Sequence, residues 1–203
     1  MFKYVGSGIL SVVLSVGFVA CGGKVEYVDN AQSSEFTSTG IDYHDIESAV
    51  AKSVQSLLNS EYVLDLDSKK VVAISDVIND TMQQVDVQDL TMKITRAMRK
   101  SGKFELTSAI SGSGGMTDNM INKARNLREN DEFNQYTTQE KGTLVAPSLS
   151  LQGKIVQKNT RVKNKQRVDY NFLLVLTDLK TGVVKWDEST HIIKVAPNSK
   201  VSW

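Results

Sequence analysis

The chain has 203 residues, 40% hydrophobic and 23% charged, enough to bury one ordinary core and too few for a second large domain. Lys and Arg nearly balance Asp and Glu, and a net charge of +1 argues against a general nucleic-acid role, since duplex binding draws on clustered cations that neutralise many phosphates. A single cysteine excludes an internal disulfide, so its position has to account for it.

That residue, Cys21, follows Lys3 and the apolar run Val5 to Ala20, which has the charge, apolar centre and small-residue end of a secretory signal. A membrane-spanning helix needs about 20 apolar residues, and this run is shorter and interrupted by Gly and Ser. Phe18, Val19, Ala20 and Cys21 read as a lipobox, with a small residue just before the cysteine and Phe18 where Leu is usual. The expectation is a signal peptide over residues 1–20 and a mature chain beginning at a lipidated Cys21, anchored by several acyl chains that each contribute about 0.8 kcal/mol per buried CH₂. Apart from this covalent lipid no cofactor is expected. Gly22 rather than aspartate follows the cysteine, which by the enterobacterial sorting rule favours the outer membrane, periplasmic face.

From Gly22 to Gly40 the chain is polar, rich in Ser and Thr and without apolar period, and reads as a flexible tether over residues 21–40. Fully extended at about 3.3 to 3.6 Å per residue it reaches roughly 60 to 70 Å. The folded domain is expected over residues 41–203. Its first helix begins near Asp42 as N-cap, with Ile46, Ala49, Val50, Val54, Leu57 and Leu58 on one face. His44 and His191, far apart in sequence and without a Cys partner, offer no metal-ligand spacing.

Val71 to Ile74 forms a buried-strand signal bounded by Lys69 and Lys70 before it and by Asp76, Asn79 and Asp80 after it. From Asp86 the period changes: Val87, Leu90, Ile94, Ala97 and Met98 line one helical face, with Asp86 as N-cap, Asp89 in the first turn and Arg96, Arg99 and Lys100 near the end. Gly102 stops the helix, and Phe104 and Leu106 return to extended structure. Two strands joined by such a helix should lie parallel in one sheet.

Gly112, Gly114 and Gly115 look like fragments of a phosphate-cradling loop but lack the Lys-Ser/Thr pair, and read better as a flexible loop ahead of a helix capped by Thr117 or Asp118. Met116, Met120, Ile121, Ala124 and Leu127 give that helix a face, with the methionines expected in core. Residues 131–142 read as a turn and a short helix capped near Thr137 or Thr138 and ended by Gly142.

The remainder is a strand meander. Leu149, Leu151 and Ile155 alternate with polar residues, and Gly153 marks a bulge or a close backbone approach. Tyr170, Phe172, Leu174 and Leu176 occupy one face of the next strand and Leu173 and Val175 the other, so that strand should be central. Asp178 to Gly182 supplies turn chemistry, and Val184 and Trp186 begin an antiparallel return.

Between the first two strands of the meander lies a charge run, Lys158, Arg161, Lys163, Lys165 and Arg167, without an acidic residue. It is either a solvated hairpin tip or an electrostatic docking loop for an acidic partner or anionic envelope polymer. Catalysis has little to stand on: there is no nucleophile elbow and no metal-ligand cluster, and Asp76, Asp80 and Asp86 read as loop and cap residues. Catalytic and metal residues are therefore expected to be none, and no small-molecule substrate is expected.

The stretch Ile94 to Ala109, with Leu176 to Trp186, resembles the LpoB family, lipoprotein activators of class A penicillin-binding proteins. The likeness covers most of the chain after Ile41, and its motifs belong to the fold. It implies a sheet with helices packed on it, similar to the N-terminal domain of TolB, and a non-catalytic envelope role with a class A penicillin-binding protein as partner. Relatives generally carry a longer, Pro-rich tether, whereas this chain has only Pro147 and Pro197. The alternative is a structural lipoprotein of an envelope assembly such as a flagellar or secretion-system ring. Together these readings predict an α+β (mixed α/β) domain: one four- to five-stranded mixed sheet, a β-α-β unit and a C-terminal antiparallel meander.

Overall fold

A computed structural model describes residues 39–197, so the signal, lipobox and tether readings, Cys21 included, fall outside the described residues. Helix α1 (Tyr43–Leu58) starts where its cap dictates: the Asp42 carboxylate accepts from Asp45 N–H while the Asp45 carboxylate accepts from Asp42 N–H, a reciprocal capping box. A short α2 (Glu61–Leu64), capped by Ser60, follows without having announced itself in the periodicity. Then come β1 (Lys70–Asp80), α3 (Val87–Lys100) and β2 (Phe104–Leu106). The α3 boundaries match the sequence reading: Asp86 accepts from Gln88 and Asp89 N–H, and Gly102 takes φ +73° just past the end.

Five strands form one mixed sheet in the order β2-β1-β3-β4-β5, completed by β3 (Leu149–Val162), β4 (Lys165–Asp178) and β5 (Val184–Pro197). β1 pairs in parallel with β2 and β3, and β3, β4 and β5 form the antiparallel meander. β4 is paired on both sides, as its two apolar faces require, although β3 holds the middle place. β1 is longer than expected. Asp76, Asn79 and Asp80, read as its boundary, lie within it, because β3 keeps pairing with it as far as Val156 opposite Asp80.

Helices α1 and α3 cover one face of the sheet. Their apolar stripes, Ala49, Val50, Val54 and Leu57 on one and Leu90, Ile94 and Met98 on the other, close over Val72, Ile74, Phe104, Leu151, Ile155, Phe172, Leu174 and Leu176. Lys93 ties the two helices, its ammonium 3.5 Å above the Tyr43 ring and 3.5 Å from Asp89. Polar contacts pin α1 to β5: Ser53 and Thr190 share a buried hydrogen bond of 3.0 Å, and Ser56 accepts from Trp186 Nε1 and donates to Glu188. At the N-terminal end, Lys194 donates to Gly40 O (2.7 Å) and lies 2.8 Å from Asp42 and 2.5 Å from Asp45. Burial works against the Lys194 charge, yet the hydrogen bonds to Asp42 and Asp45 outweigh it and hold its pKa above the ordinary lysine value. Asp42, though burial opposes it too, is held below the usual carboxylate range by the same contact and by Asp45 N–H.

Between β2 and β3 the chain departs from the expectations. Helix α4 (Met120–Asn126) buries no residue, and Met116 and Met120 are 63% and 60% exposed rather than in core. Its N-cap is Asn119, without a side-chain cap bond, and Asp118 instead accepts from Met120 N–H. The helix expected after Thr137 is a single 3₁₀ turn, Gln135–Thr137, capped by Asn134; Gly142 takes φ +77° in a separate turn. Hydrogen bonds hold this excursion, with Arg125 donating to Glu140 O and Thr143 and Arg128 donating to Gln139 O.

The glycine-rich loop is fixed by packing. A side chain at Gly112 would meet Asp76 N at 2.6 Å, and one at Gly114 would meet Val77 Cγ2 at 2.3 Å. Gly112 N–H bonds to Ile74 O, and Ser113 N–H to the Asp76 carboxylate, which that contact draws below the usual range. These amides face the protein's own strand, so the glycines serve close approach to β1 rather than a phosphate. They sit where β1 carries one residue more than β3, between Ile74 opposite Leu151 and Val77 opposite Gly153. Gly153 accordingly marks the close approach, with Leu174 and Val77 side chains at 3.2 and 3.4 Å from a Cβ built there, while the bulge belongs to β1.

Candidate functional site

A 14-residue strand extends about 46 Å at 3.3 Å per residue, whereas the 16 residues of α1 span about 24 Å. The helices are too short for the meander. α1 follows β5 from Trp186, bonded to Ser56, to Lys194, bonded to Asp42, so the far ends of β3, β4 and β5 project past it as a blade, and the outer face there, opposite α1 and α3, carries no helix among the described residues. On β3 the alternating burial stops after Val156, and residues 158–162 are exposed on both faces.

The basic run sits on this blade, and register divides it. Lys158 pairs with Asp169, Thr160 with Arg167 and Val162 with Lys165, so Lys158, Lys165 and Arg167 share the outer face. Arg161, opposite Gln166, points to the other face. Lys163 occupies the two-residue turn with φ 54°, a left-handed conformation that favours glycine or asparagine. Arg167 Nε lies 2.7 Å from Asp169, so that cation is already paired, and farther down Lys154 pairs with Asp80 at 2.9 Å. Lys158, Arg161, Lys163 and Lys165 have no ion pair among the described residues.

β5 adds an apolar component that the charge run does not reveal. Ile193 pairs with Asp169 and Val195 with Arg167, placing both on the outer face, 53% and 57% exposed, with Val162 and Pro197 beside Lys165. Their signal in the sequence is the run Ile192, Ile193, Lys194, Val195, which gives each face of an edge strand an apolar residue; only the register says which face stays wet. The surface combines cations with uncovered Ile and Val, an arrangement suited to an acidic-rimmed apolar partner.

The candidate carboxylates are each engaged separately: Asp76 holds Ser113, Asp80 pairs with Lys154, and Asp86 caps α3. His44 lies edge-on to Tyr43, and His191 stands on the outer face near Ser189. No His, Cys, Asp and Glu cluster suited to a metal occurs among the described residues, and no helix there is long and apolar enough to cross a membrane.

A family model described as peptidoglycan-synthase activator LpoB matches residues 45–192, which run from the first turn of α1 through α2, α3 and α4 and take in nearly the whole sheet. No curated protein matches the sequence significantly. Among solved structures, the chain is similar to the LpoB C-terminal domain from Salmonella enterica at 15% identity, covering 73% of this chain and 98% of that one with a TM-score of 0.43. It is similar to the solution structure of E. coli LpoB at 16% identity, covering 96% of this chain and 89% of that one, also with a TM-score of 0.43. Lipoprotein GNA1162 from Neisseria meningitidis aligns at 11% identity over 66% of this chain and 87% of that one, with a TM-score of 0.34.

Proposed function

The chain belongs to the LpoB family of peptidoglycan-synthase activators, and from that premise we propose that it is a non-catalytic envelope lipoprotein that binds a class A penicillin-binding protein and raises its synthetic activity. The family match over residues 45–192 carries this reading. Cys21 supplies the lipid anchor at the periplasmic face of the outer membrane, and residues 21–40 tether the domain that begins at 41. An activator of this kind works by linkage: it shifts the synthase only as far as it binds the active conformation better than the inactive one. The blade is the docking surface. Lys158, Lys163 and Lys165 attract an acidic region and speed encounter, while Ile193 and Val195 bury apolar area once the partner has docked.

The test is glycan polymerisation by a purified class A synthase with and without the full chain in detergent. Stimulation is expected, and Lys163→Glu with Lys165→Glu should weaken binding at least several-fold at low salt while leaving the circular dichroism melt unchanged. Stimulation with affinity untouched by the reversal would move the docking surface elsewhere. Absence of stimulation, with the chain recovered crosslinked to copies of itself or to ring components, would favour the second reading. That reading, a structural lipoprotein of an envelope ring, is supported by the short tether with no proline between Gly22 and Gly40.

A further inference from the structure

At the opposite edge of the sheet from the blade, α3, β2 and the glycine-rich loop enclose a cleft of about 290 Å³. Ile74 and Leu106 contribute apolar lining, as do Met92 on α3 and Met116 on the loop, both exposed. A shallower continuation brings in Arg96 beside Arg99, one helical turn apart. We propose that this cleft binds a peptide carboxylate carried next to an apolar side chain.

Three observations support the assignment. The lining contains no acidic residue, and neither Arg96 nor Arg99 has an ion-pair partner among the described residues. Second, the threonines on the α3 side are already committed, Thr91 donating to Val87 O at 2.6 Å and Thr95 to Met92 O at 3.0 Å. The Ser111 and Thr117 hydroxyls are likewise bonded to each other at 2.7 Å. The cleft's remaining side-chain donors are the Gln88 amide, the Thr107 and Ser108 hydroxyls and the guanidinium N–H groups, and of these only the guanidinium groups are charged and offer the planar fork that a carboxylate matches bidentately. Third, the size is limiting: about 290 Å³ lies at the bottom of the range for ligand pockets, enough for one side chain and the carboxylate beside it and too small for a nucleotide cofactor. A cation in the last turn of α3 also complements the helix dipole, but that accounts for Arg99 alone and not for a concave apolar lining beneath it. Met92 and Met116, long and polarizable, can adapt to the apolar neighbour.

The carboxylate has two peptide sources, an acidic side chain or a free C-terminus, and the probes separate them. The full chain, carbon-13 labelled at its methionine methyls, would be titrated with N-acetyl-Leu-Glu-amide, with N-acetyl-Ala-Leu bearing a free C-terminus, and with the neutral N-acetyl-Ala-Leu-amide. Saturable shifts of the Met92 and Met116 methyls in the low-millimolar range are expected for at least one charged probe, and the stronger binder names the source. Arg99→Gln should weaken that binding about tenfold or more, and Arg99→Lys, which keeps the charge and loses the fork, by an intermediate factor. The assignment is overturned if the neutral peptide binds as well as the charged ones, if neither methyl moves, or if inorganic phosphate displaces the peptides at equal concentration. The outcome is independent of the synthase assay, since nothing in it requires the blade.

Discussion

Replacing Lys194 with methionine keeps most of the side-chain volume on β5 and removes the charge that Asp42 and Asp45 share. Removing one member of a buried ion pair costs about 3–5 kcal/mol because the partner charge is left uncompensated. Here the Lys194, Asp42 and Asp45 side chains are 15%, 27% and 16% exposed, so solvent screens part of that cost and about 2–3 kcal/mol is expected at neutral pH. For a domain of this size that lowers the midpoint of thermal unfolding by roughly 4–12 °C. The pH dependence follows from the directions of the shifts. Asp42 is depressed, so its contribution is present above the unfolded aspartate value near pH 4 and fades as pH falls through its folded value. Lys194 is raised, so its contribution is complete below the unfolded lysine value and is lost as pH rises through the folded one. The wild-type advantage over Lys194→Met should thus be a plateau between about pH 5 and pH 10, declining at both ends. Urea unfolding followed by far-ultraviolet circular dichroism measures it. The decisive comparison is the triple variant Lys194→Met, Asp42→Asn, Asp45→Asn. Asparagine still caps α1, and the stranded charges are gone, so much of the lost stability should return. A loss below about 1 kcal/mol in the single variant, or a triple variant no more stable than the single one, would refute the reasoning.

Two further substitutions test the loop and the turn. Gly114→Ala places a methyl 2.3 Å from Val77 Cγ2 and 2.9 Å from Val77 N, and overpacking of that kind costs about 1–3 kcal/mol, read as a lower urea midpoint. At Gly142 a Cβ has nothing within 4 Å and only the positive φ resists it, so Gly142→Asn should be tolerated where Gly114→Asn is not. Lys163→Gly relieves a left-handed lysine in the hairpin turn and should stabilise the fold by up to about 1 kcal/mol, while removing one cation from the blade tip. Stability and synthase affinity then move in opposite directions, and thermal melts beside a salt-dependent binding assay would show it.

Some elements were legible in the sequence because several independent signals agreed. α3 combined a 3.6-residue period, Asp86 as cap and Gly102 as stop, and all three occur as read. β1 was half legible. Its apolar start was plain, but Asp76, Asn79 and Asp80 carry the polarity of a loop, and only pairing with β3 keeps them extended; Asp76 spends its polarity on holding Ser113. The methionines of residues 116 and 120 had helical spacing, yet spacing reports a face and not whether anything packs on it. For the basic run, composition located the surface, and the two-residue turn at Lys163 decided which cations share a face. The α3 cleft left no local trace, since its lining comes from three separate stretches, 88–99, 106–108 and 111–116, with Ile74 added from β1.

Both candidate surfaces are cationic in a chain whose net charge is only +1, which constrains how they can act. A near-neutral molecule exerts little long-range pull of its own, and at physiological salt the Debye length is about 8 Å, so each patch attracts only what comes close to it. Acidic surface therefore has to be presented to the blade or to the cleft locally, and charge changes at one should leave the other unaffected. The proposed tether would sharpen this. A lipid at Cys21 and a reach of at most roughly 60 to 70 Å would hold the domain near one membrane. Under that confinement the search is short and the local concentration high. Modest patches of two or three cations, unpaired among the described residues, then suffice to select a partner by fit and charge, where a freely diffusing protein would need a stronger field or a larger interface.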